Sequence, residues 1–398
     1  MCMKGLQNTE EVQLSPDQRK AFDAIQGWLY QGFAKPLRIG GYAGTGKTTL
    51  IGYVRNYIRD QTPKFRVAFA CPTGMASQNL IGRLALQGVS LAKDYVGTIH
   101  RLIYVPEISK KGQIVGWIRN EEINKDIIIV DEGSMITKSV WRDLTSFGIP
   151  LLVFGDHGQL PPVGDTYSLM KDPDLALETI HRQAADNPII NLATLARKGQ
   201  AIPPAKYGSG VAKISRDSYE AEEISNSFFN MRGTDSFILC GTNKLRNQLN
   251  KHIRTMKGIE SNEPVAGDTV VCLRNIYDNK GGAIFNGMLG EIKRISDEDK
   301  HRFSATIEFP DAGVTYVGFI SKEQFHSPTL ISQIKGVKHD MIGDRFDFGY
   351  ALTVHKAQGS QARRVLVFDE SPLFREDAHK WLYTAITRAE EELYILSN

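Results

Sequence analysis

A glycine-rich stretch near the N-terminus carries the clearest chemical pattern in the sequence. Residues 41–48 read GYAGTGKT and fit the phosphate-binding pattern G-x-x-x-x-G-K-[ST]. Glycines in such a loop allow a tight turn that points backbone N–H groups at phosphate oxygens. The Lys47 ammonium is expected at the β- and γ-phosphates of a nucleotide, and the Thr48 hydroxyl at Mg²⁺. The stretch therefore predicts a site for a nucleoside triphosphate and its magnesium ion.

Two apolar runs further along the chain end in polar side chains that suit the same chemistry. Residues 127–130 run into Asp131 and Glu132, and residues 151–154 run into a segment that contains Gln159. Asp131 is expected to hold Mg²⁺ directly or through water, and Glu132 to orient and deprotonate an attacking water. The Gln159 amide carries no charge, so it can sense a γ-phosphate or that water without fixing a proton.

The elements around these residues are those that a nucleotide site needs. Residues 37–39 predict a strand entering the loop, and residues 49–59 predict a helix whose positive dipole end faces the phosphates. Residues 127–130 and 151–154 predict central parallel strands that deliver their polar side chains to one sheet edge. Ahead of the loop, Ser15 and Pro16 predict a helix start. Gln18 on that helix could bind an adenine edge, or be solvated.

The composition indicates a multidomain protein and excludes several classes. The 398 residues, 41% of them hydrophobic, allow two or three domains, each with its own core. The net charge of +3 permits a nucleic-acid partner without requiring one. None of the four cysteines has C-x-x-C spacing, which excludes a zinc or disulfide framework and favours a reducing compartment. We therefore expect a soluble intracellular protein without a membrane partner.

Three further segments carry groups that suit a passing anion. A predicted strand at residues 66–70 leads into Pro72 and Thr73, and another segment closes at His100. The strand at residues 237–240 leads into Thr242, Asn243 and a basic helix. Each of these patterns also fits an ordinary strand–helix turn or a solvated basic helix, so the residues alone leave both interpretations open.

Taken together, these residues resemble the motifs of superfamily 1 helicases, closest to the 5′-to-3′ group typified by RecD and the phage Dda helicase. The resembling segments are Gln18 (Q motif), Gly41–Thr48 (motif I), Cys71–Gly74 (motif Ia), Thr98–His100, Asp131–Ser134 (motif II), Gly155–Val163 (motif III), Glu178–Gln183 (motif IV), Ala351–Ser360 (motif V) and Leu382–Ala389 (motif VI). Two positions depart from the pattern. Gly133 stands where Ala or Val is more usual. Met75 stands where Lys is common, so this chain would lack the contact that such a lysine makes with a DNA phosphate.

The resemblance implies an α/β protein with two RecA-like P-loop NTPase domains and ATP in the cleft between them. Arg182 and Arg388 would reach the γ-phosphate from the second domain, since a guanidinium is a rigid, permanently charged fork for phosphate oxygens. The implied catalytic residues are Lys47, Glu132, Gln159, Arg182 and Arg388, and the implied metal ligands are Thr48 and Asp131. The implied ATP contacts are Gln18, Gly41, Ala43, Gly44, Thr45, Gly46, Lys47, Thr48, Thr49, Gln159, Arg182, Gly359 and Arg388.

The predicted domain boundaries follow changes in the pattern of residues along the chain. The first motor domain takes residues 1–100 and 123–177, and the second takes 178–262 and 346–398. Residues 101–122 read as a β-hairpin, in which the family uses an aromatic wedge to split duplexes. Tyr104 and Trp117 are the wedge candidates, with ordinary packing as the alternative. Residues 263–345 contain short β-rich runs with an Asn286–Gly287 turn, similar to the family's SH3-like β-barrel insertion.

The resemblance also implies the activity. An ATP-dependent helicase would translocate 5′-to-3′ on single-stranded DNA and unwind forked duplexes. It would act as a monomer in the cytoplasm of a bacterial cell or phage-infected host, with a single-strand-binding or replication protein as a partner. Its implied DNA contacts are Pro72, Thr73, His100, Thr242, Asn243, His355 and Lys356, mostly to the DNA backbone, with little sequence preference. One alternative is a translocase or RNA-directed ATPase that does not unwind DNA. A non-catalytic nucleic-acid-binding protein is another, but the intact ATP-site residues argue against it.

Overall fold

The computed structural model of the protein describes residues 14–30, 35–108, 114–162, 167–180, 186–231, 235–277, 283–310, 313–327, 329–338 and 341–398. The α-helices there are α1 (Pro16–Tyr30), α2 (Lys47–Gln61), α3 (Gly74–Leu86), α4 (Ile99–Ile103), α5 (Lys138–Thr145), α6 (Pro188–Arg197), α7 (Tyr219–Asn230), α8 (Asn243–Met256) and α9 (Ala378–Ile386). No helix in these ranges is long and apolar enough to cross a membrane.

The strands form two parallel-rich sheets, one antiparallel sheet and two strand pairs. They are β1 (Leu37–Gly41), β2 (Val67–Cys71), β3 (Tyr95–Thr98), β4 (Tyr104–Ile108), β5 (Ile114–Arg119), β6 (Ile127–Val130), β7 (Leu151–Gly155), β8 (Leu175–Leu177), β9 (Ala205–Gly208), β10 (Val211–Ser215), β11 (Ser236–Cys240), β12 (Thr269–Cys272), β13 (Ile276–Tyr277), β14 (Ala283–Ile284), β15 (Leu289–Asp297), β16 (Arg302–Phe309), β17 (Val314–Ser321), β18 (Phe346–Phe348), β19 (Leu352–Thr353), β20 (Ala362–Phe368) and β21 (Ala389–Ser397).

The first lobe is built on a six-stranded sheet in the order β3-β2-β6-β7-β1-β8, with every pair parallel. Successive residues of β6 alternate between two apolar clusters: Ile127 and Ile129 face one, and Ile128 and Val130 face the other. This alternation buries both faces of the sheet, which explains the uninterrupted apolar run in the sequence. The carboxyl ends of β1, β6 and β7 meet at one edge, as the sequence predicts.

The second lobe repeats this arrangement with the sheet order β19-β11-β20-β21-β10-β9. All of its pairs are parallel except the one between β10 and β9. Val365 and Val367 of β20 face one apolar cluster, and Leu366 and Phe368 face the other. The fold therefore contains two α/β lobes, each with a buried parallel sheet.

Two additions to these lobes are antiparallel. Strands β4 and β5 pair with each other, with their connecting residues 109–113 outside the described residues. Strands β17-β16-β15-β12-β18 form the five-stranded sheet that we call the insertion sheet. In β16, buried residues alternate with more exposed ones, the pattern of an antiparallel sheet with one covered face. Phe346–Phe348 pairs with β12 in this sheet, although the predicted boundary assigns residues 346–398 to the second motor domain.

Candidate active site

The glycine-rich loop leaves β1 and enters α2, whose first residue is Lys47. Gly44 and Gly46 have φ angles of 80° and 74°, a left-handed backbone that favours glycine. The Lys47 Nζ donates to the carbonyl oxygens of Gly41 at 2.7 Å and Tyr42 at 3.1 Å, so the side chain lies across the loop. The predicted strand–loop–helix unit is present, and its helix starts two residues earlier than the sequence indicated.

Gln18 lies beneath this loop and is fully buried. Its Nε2 donates to the carbonyl oxygens of Thr45 at 3.2 Å and Gly46 at 3.1 Å, while its Oε1 accepts from the Ser15 N–H at 2.9 Å. In this conformation the amide holds the loop and does not line the cleft, in contrast to the adenine contact expected for it. The reason is that the tight turn leaves two buried carbonyl groups that need donors.

The two acidic residues follow β6 as expected. Glu132 has φ 55° and ψ 40°, a left-handed conformation that is uncommon and strained for a residue with a side chain. Burial raises the pKa of Asp131 to about 6, and the nearby Glu132 charge acts in the same direction. A β-carbon at Gly133 would stand 2.5 Å from Val153 Cγ1 and 3.0 Å from a carbonyl oxygen. Glycine therefore replaces the usual Ala or Val at position 133 because the structure leaves no room for a β-carbon there.

Gln159 follows β7 beside the carboxylate of Asp156. Asp156 Oδ1 accepts from the Gly158 N–H at 2.9 Å, and Asp156 Oδ2 lies 3.4 Å from Gln159 Nε2. Gln159 Oε1 and Glu132 Oε2 are both buried without a hydrogen-bonding partner. Because a buried unpaired acceptor is costly, each of these two atoms is suited to a hydrogen-bond donor such as water, and both residues line the same cleft.

Arg388 comes from the second lobe, just after α9. It is 3% exposed, and its guanidinium donates to Thr384 O at 3.1 Å, Ser360 O at 3.0 Å and Thr387 Oγ1 at 3.1 Å. Burial lowers its pKa, whereas the charge of Glu132 across the cleft favours the charged form. The second lobe thus presents a fixed cation toward the acidic end of β6.

These groups line one cleft of about 470 Å³ between the lobes. The predicted residues along its wall are Ala43, Gly44, Gly46, Lys47, Thr48, Thr49, Asp131, Glu132, Gln159, Gly359 and Arg388. Gly41 lies at the end of β1, and Thr45 is fully buried in the loop, so neither faces the cleft. Sequence reasoning missed Asn79 and Arg83 of α3, which line the wall and bond to Gly359 O and Gln361.

Arg182, the second expected arginine, lies outside the described residues. The chain just before it is anchored by α1, because Asp17 Oδ2 accepts from the main-chain N–H groups of Glu178 and Thr179, each at 2.8 Å. These hydrogen bonds fix the start of the segment that connects the two lobes. Asp17 is adjacent to Gln18, which supports the phosphate loop. The prediction for Arg182 itself stays a prediction.

The turn that carries the expected DNA contacts of motif Ia touches motif V across the lobes at Gly359. Thr73 Oγ1 caps α3 by accepting from the Ala76 N–H at 3.2 Å, and a β-carbon on Gly359 would stand 2.8 Å from it. Pro72 precedes it on the same turn. In motif V, the His355 ring packs 5.8 Å from Phe374, and burial, followed by the Arg246 charge, lowers the pKa of Lys356 to about 8. Thr73 therefore contacts motif V at Gly359, whereas His355 and Lys356 pack within the second lobe.

Thr242 has a different role from the one expected. Its N–H donates to Glu370 Oε2 at 2.9 Å, its hydroxyl bonds to Glu370 Oε1 at 3.1 Å, and the hydroxyl also accepts from the Leu245 N–H. The Gly241 N–H donates to the same carboxylate at 2.7 Å. In this conformation the protein's own carboxylate takes the donors that were expected to bind a phosphate, and Thr242 caps α8. Asn243 is the first residue of that helix.

The two wedge candidates have distinct surroundings. Tyr104 begins β4 at the base of the strand pair, and its hydroxyl bonds to Asp143 at 2.6 Å. Trp117 pairs with Pro106 further along and is 47% exposed. The His100 ring lies 4.6 Å from Tyr104 and 6.2 Å from Trp117, so the expected DNA-contacting histidine sits between them. Tyr104 is therefore mainly a packing residue, and Trp117 is the exposed aromatic.

The structure combines two α/β lobes with a phosphate-binding loop at the cleft between them, and comparison with known proteins shows which families this chain resembles. A family described as AAA domain matches residues 13–210, and the UvrD-like helicase C-terminal domain matches residues 348–396. The chain is 27% identical over 403 residues to the ATP-dependent RecD2 DNA helicase of Deinococcus radiodurans, which covers 96% of this chain and 48% of that protein. It is 24% identical to the RecBCD enzyme subunit RecD of Buchnera aphidicola, over 90% of this chain and 70% of that protein.

Solved structures share the fold. Bacteroides Pif1 bound to ssDNA has a TM-score of 0.54 at 17% identity, over 97% of this chain and 93% of that one. A structure of Pif1 helicases at forked dsDNA has a TM-score of 0.54 at 18% identity, over 97% of this chain and 92% of that one. The chain is thus similar to superfamily 1 helicases of the RecD and Pif1 type, at identities of 24–27% to the RecD relatives given above. It spans about half of the length, 48%, of the Deinococcus relative.

Proposed function

We propose that this chain is an ATP-dependent DNA helicase that moves 5′-to-3′ along single-stranded DNA and unwinds duplexes ahead of it. The observation that carries the proposal is the convergence of Lys47, Glu132 and Gln159 from one lobe with Arg388 from the other on a single cleft. Such a cleft lets nucleotide binding draw the lobes together and hydrolysis release them. The RecD2 relative is named as an ATP-dependent DNA helicase, and Pif1 has been solved with ssDNA, which supports DNA as the partner.

The hydrolytic chemistry follows from the buried acceptors of the cleft. Glu132 Oε2 and Gln159 Oε1 both lack protein donors, so a water between them would donate to both. The water oxygen attacks the γ-phosphorus while Glu132 takes a proton from the water. The bond between the γ-phosphorus and the β–γ bridging oxygen breaks, which leaves ADP and phosphate. Gln159 positions the water and carries no proton of its own. Lys47 and Arg388 balance the negative charge on the transferred phosphoryl group.

The residues present also suit Mg²⁺. Thr48 supplies a hydroxyl and Asp131 a carboxylate, both hard oxygen donors, and the described residues contain no cluster of three acidic, His or Cys side chains that would cage a metal alone. This small donor set fits an ion that is shared with nucleotide phosphates and water. When bound, Mg²⁺ would supply positive charge to the β- and γ-phosphate oxygens. The main task of Asp131 is then to remain ionised despite its burial.

The remaining members of the ATP site have supporting roles. Gly359 stands at the second-lobe wall with φ 78°, and its lack of a side chain leaves room for Thr73. Arg182 would be the second arginine at the γ-phosphate. The backbone groups of Ala43–Thr49 would cradle phosphates, while Gln18 supports the loop and reaches the base only if its bonds to that loop rearrange.

The proposed DNA track runs over motifs Ia and V, at the contact between Thr73 and Gly359. Pro72, Thr73 and His100 would face the strand from the first lobe, and His355 and Lys356 from the second. Asn243, beside the capped turn of Thr242, is a secondary candidate. Contacts of this type go to the DNA backbone, so little sequence preference is expected. A cation such as Lys356 would add a salt-dependent contribution to affinity.

The domain boundaries and insertions remain part of the proposal. Residues 101–122 would be a strand-separating hairpin with Trp117 as its wedge, and residues 263–345, extended to Phe348, an SH3-like insertion that closes over the track. The motor domains would take residues 1–100 with 123–177, and 178–262 with residues beyond Phe348. The protein would act as a monomer, with a single-strand-binding or replication protein as a possible partner in the cytoplasm.

An unwinding assay on tailed duplexes tests the proposal. The purified chain is given ATP, Mg²⁺ and duplexes that carry a 5′ DNA tail, a 3′ DNA tail or a 5′ RNA tail, with Lys47→Ala as the inactive control. We expect strand separation with the 5′ DNA tail alone and none from the control. Unwinding from the 3′ tail would overturn the polarity. DNA-stimulated hydrolysis without separation would indicate a translocase, and a preference for the RNA tail would overturn the assigned substrate.

A further inference from the structure

The hydroxyl of Tyr383 is one of the points at which the second lobe touches the phosphate loop. Tyr383 lies on α9 and is 1% exposed. Its oxygen accepts from the main-chain N–H of Ala43 at 2.8 Å and donates to Asp156 Oδ2 at 2.6 Å. A single second-lobe atom therefore links two separate segments of the first lobe, which lie in the loop and after β7.

The carboxylate that receives this hydrogen bond also organises the γ-phosphate sensor. Asp156 Oδ1 accepts from the Gly158 N–H at 2.9 Å, and Oδ2 lies 3.4 Å from Gln159 Nε2. Ala43, Tyr383, Asp156 and Gln159 thus form one chain of hydrogen bonds that begins in the loop, crosses to the second lobe and returns to the sensor. Buried hydrogen bonds to a charged acceptor are among the stronger ones, and a lost partner is costly.

The neighbouring packing fixes this geometry. The Tyr42 ring meets Tyr383 edge-on at 6.4 Å, and the Arg197 guanidinium of α6 lies 3.5 Å above the Tyr42 ring. A β-carbon on Gly158 would stand 3.0 Å from Tyr383 Cε1 and 3.2 Å from Tyr42 Cδ1. Both rings therefore need the glycine in order to approach, and Tyr42 is held between the two lobes.

Two further hydrogen bonds join the second lobe to the main chain of Leu160 and involve neither the phosphate loop nor Asp156. The Leu160 N–H donates to Thr384 Oγ1 at 3.0 Å, and Gln358 Nε2 donates to Leu160 O at 3.1 Å. These contacts can hold the lobes together without Tyr383. The Tyr383 hydroxyl differs because its two partners belong to the loop that would hold the phosphates and to the residue that orients Gln159.

We propose that Tyr383 is a positioning residue that transmits closure of the second lobe to the phosphate loop and to Gln159. This inference rests on the proposed ATP hydrolysis. When the lobes close, the Tyr383 hydroxyl fixes the position of the Ala43 N–H in the loop. It also orients the Asp156 carboxylate so that the Gln159 amide faces the attacking water. When the lobes part, both groups lose that partner at once, and the sensor is released. Hydrolysis is thereby restricted to the closed cleft.

The test is Tyr383→Phe, which removes one oxygen and keeps the ring. Tyr207→Phe is the matched control, because its hydroxyl bonds to the Pro203 carbonyl at 2.6 Å within the second lobe. The kcat and KM of DNA-stimulated ATP hydrolysis and the Kd of an ATP analogue without DNA are measured on protein shown to be folded at the assay temperature. We expect kcat to fall about tenfold in Tyr383→Phe, with KM and Kd changed less than about twofold, and Tyr207→Phe to match the unmodified chain.

A double-mutant cycle with Asp156→Asn separates positioning from general support. Asp156→Asn removes the charge and leaves one acceptor oxygen for the two donors Gly158 N–H and Tyr383 O–H, so Tyr383→Phe should lower kcat far less in the Asp156→Asn background than in the unmodified chain. Additive losses would overturn the inference, as would a Tyr383→Phe variant as active as Tyr207→Phe. If Tyr383→Phe does not fold, Asp156→Asn alone should show the kcat loss, and an unchanged kcat would overturn the inference. An unmodified chain without hydrolysis would instead overturn the proposed function, and this inference with it.

Discussion

The ring of Phe285 lies directly against the α-carbon of Gly74, so that a β-carbon there would stand well within 3.0 Å of the ring. Gly74 begins α3 in the first lobe, whereas Phe285 follows β14 in the insertion. The next residue, Met75, packs against the apolar core of the insertion sheet. The methionine that departs from the family pattern therefore takes part in an apolar contact between the first lobe and the insertion.

Gly74→Ala should destabilise the protein because its β-carbon displaces the Phe285 ring. Gly82 on the same helix is the matched control, since nothing lies within 4 Å of a β-carbon placed there. We expect Gly74→Ala to lower the free energy of unfolding by about 1–3 kcal/mol through overpacking. Gly82→Ala should raise it by about 0.5–1 kcal/mol through helix propensity. Chemical denaturation measures both, and equal effects of the two substitutions would contradict the packing.

The pKa of Lys356 predicts a pH dependence of DNA binding. Burial, followed by the Arg246 charge, lowers this pKa from 10.5 to about 8, so the ammonium loses its proton as the pH rises through that value. If Lys356 contacts a phosphate, affinity for single-stranded DNA should fall several-fold between about pH 7 and about pH 9. Lys356→Arg stays charged throughout and should show a much flatter profile. Fluorescence anisotropy measures both, and parallel profiles would exclude the contact.

The lowered pKa of Lys356 affects folding stability in the opposite direction, because stability increases as the pH rises. Between about pH 8 and the unfolded-state value of 10.5, the unfolded chain binds the proton more tightly than the folded one. This group therefore stabilises the fold progressively as the pH rises through that window, and it contributes no such gain below it. Lys356→Met, which removes the titration, should abolish that part of the pH dependence of unfolding.

Glu132→Gln should separate ATP binding from hydrolysis. The substitution preserves the shape of the side chain but removes the group that takes the proton from water, so the hydrolysis rate should fall by about 10²–10⁴. Affinity for an ATP analogue should stay within about threefold, because Lys47 and the loop are untouched. Equilibrium binding and steady-state hydrolysis on the same preparation check both quantities. Retained hydrolysis would exclude Glu132 as the base.

The exposed Trp117 should matter for strand separation more than for ATP hydrolysis. Trp117→Ala should reduce unwinding of a forked duplex about tenfold, as loss of one base-stacking aromatic would, and leave DNA-stimulated hydrolysis nearly unchanged. Tyr104→Phe is the control, because it loses only the bond to Asp143 at the base of the strand pair. Equal losses of unwinding and hydrolysis in Trp117→Ala would indicate a packing role.

The parts of the site that the sequence predicted are those that depend on neighbouring residues. The phosphate loop and the strand-end acids Asp131 and Glu132 follow from local turns and apolar runs, and the resemblance located Arg388. Their elements are present in the structure with small shifts in their ends. The sequence also placed Gly133 next to Asp131 and Glu132. It did not show that Val153, 20 residues later, leaves no room for a β-carbon there.

The parts that the sequence did not predict depend on partners far away in the chain. The carboxylate of Glu370 caps Thr242 from 128 residues away, and Tyr383 bonds to the Ala43 N–H from 340 residues away. Gln18 finds its acceptors in the loop 27 and 28 residues later. A residue's own type indicates that it needs a hydrogen-bonding partner, but only the packed lobes determine which partner it meets.

The rate of ATP hydrolysis with and without single-stranded DNA tests the central claim most directly. The claim is that Lys47 and Arg388, from different lobes, act together on ATP in a cleft whose closure is coupled to DNA binding. The unmodified chain should hydrolyse ATP at least about tenfold faster with single-stranded DNA, and Lys47→Ala and Arg388→Ala should each lose about 10²-fold or more of that rate. Hydrolysis that DNA does not stimulate, or that survives either substitution, would contradict the claim.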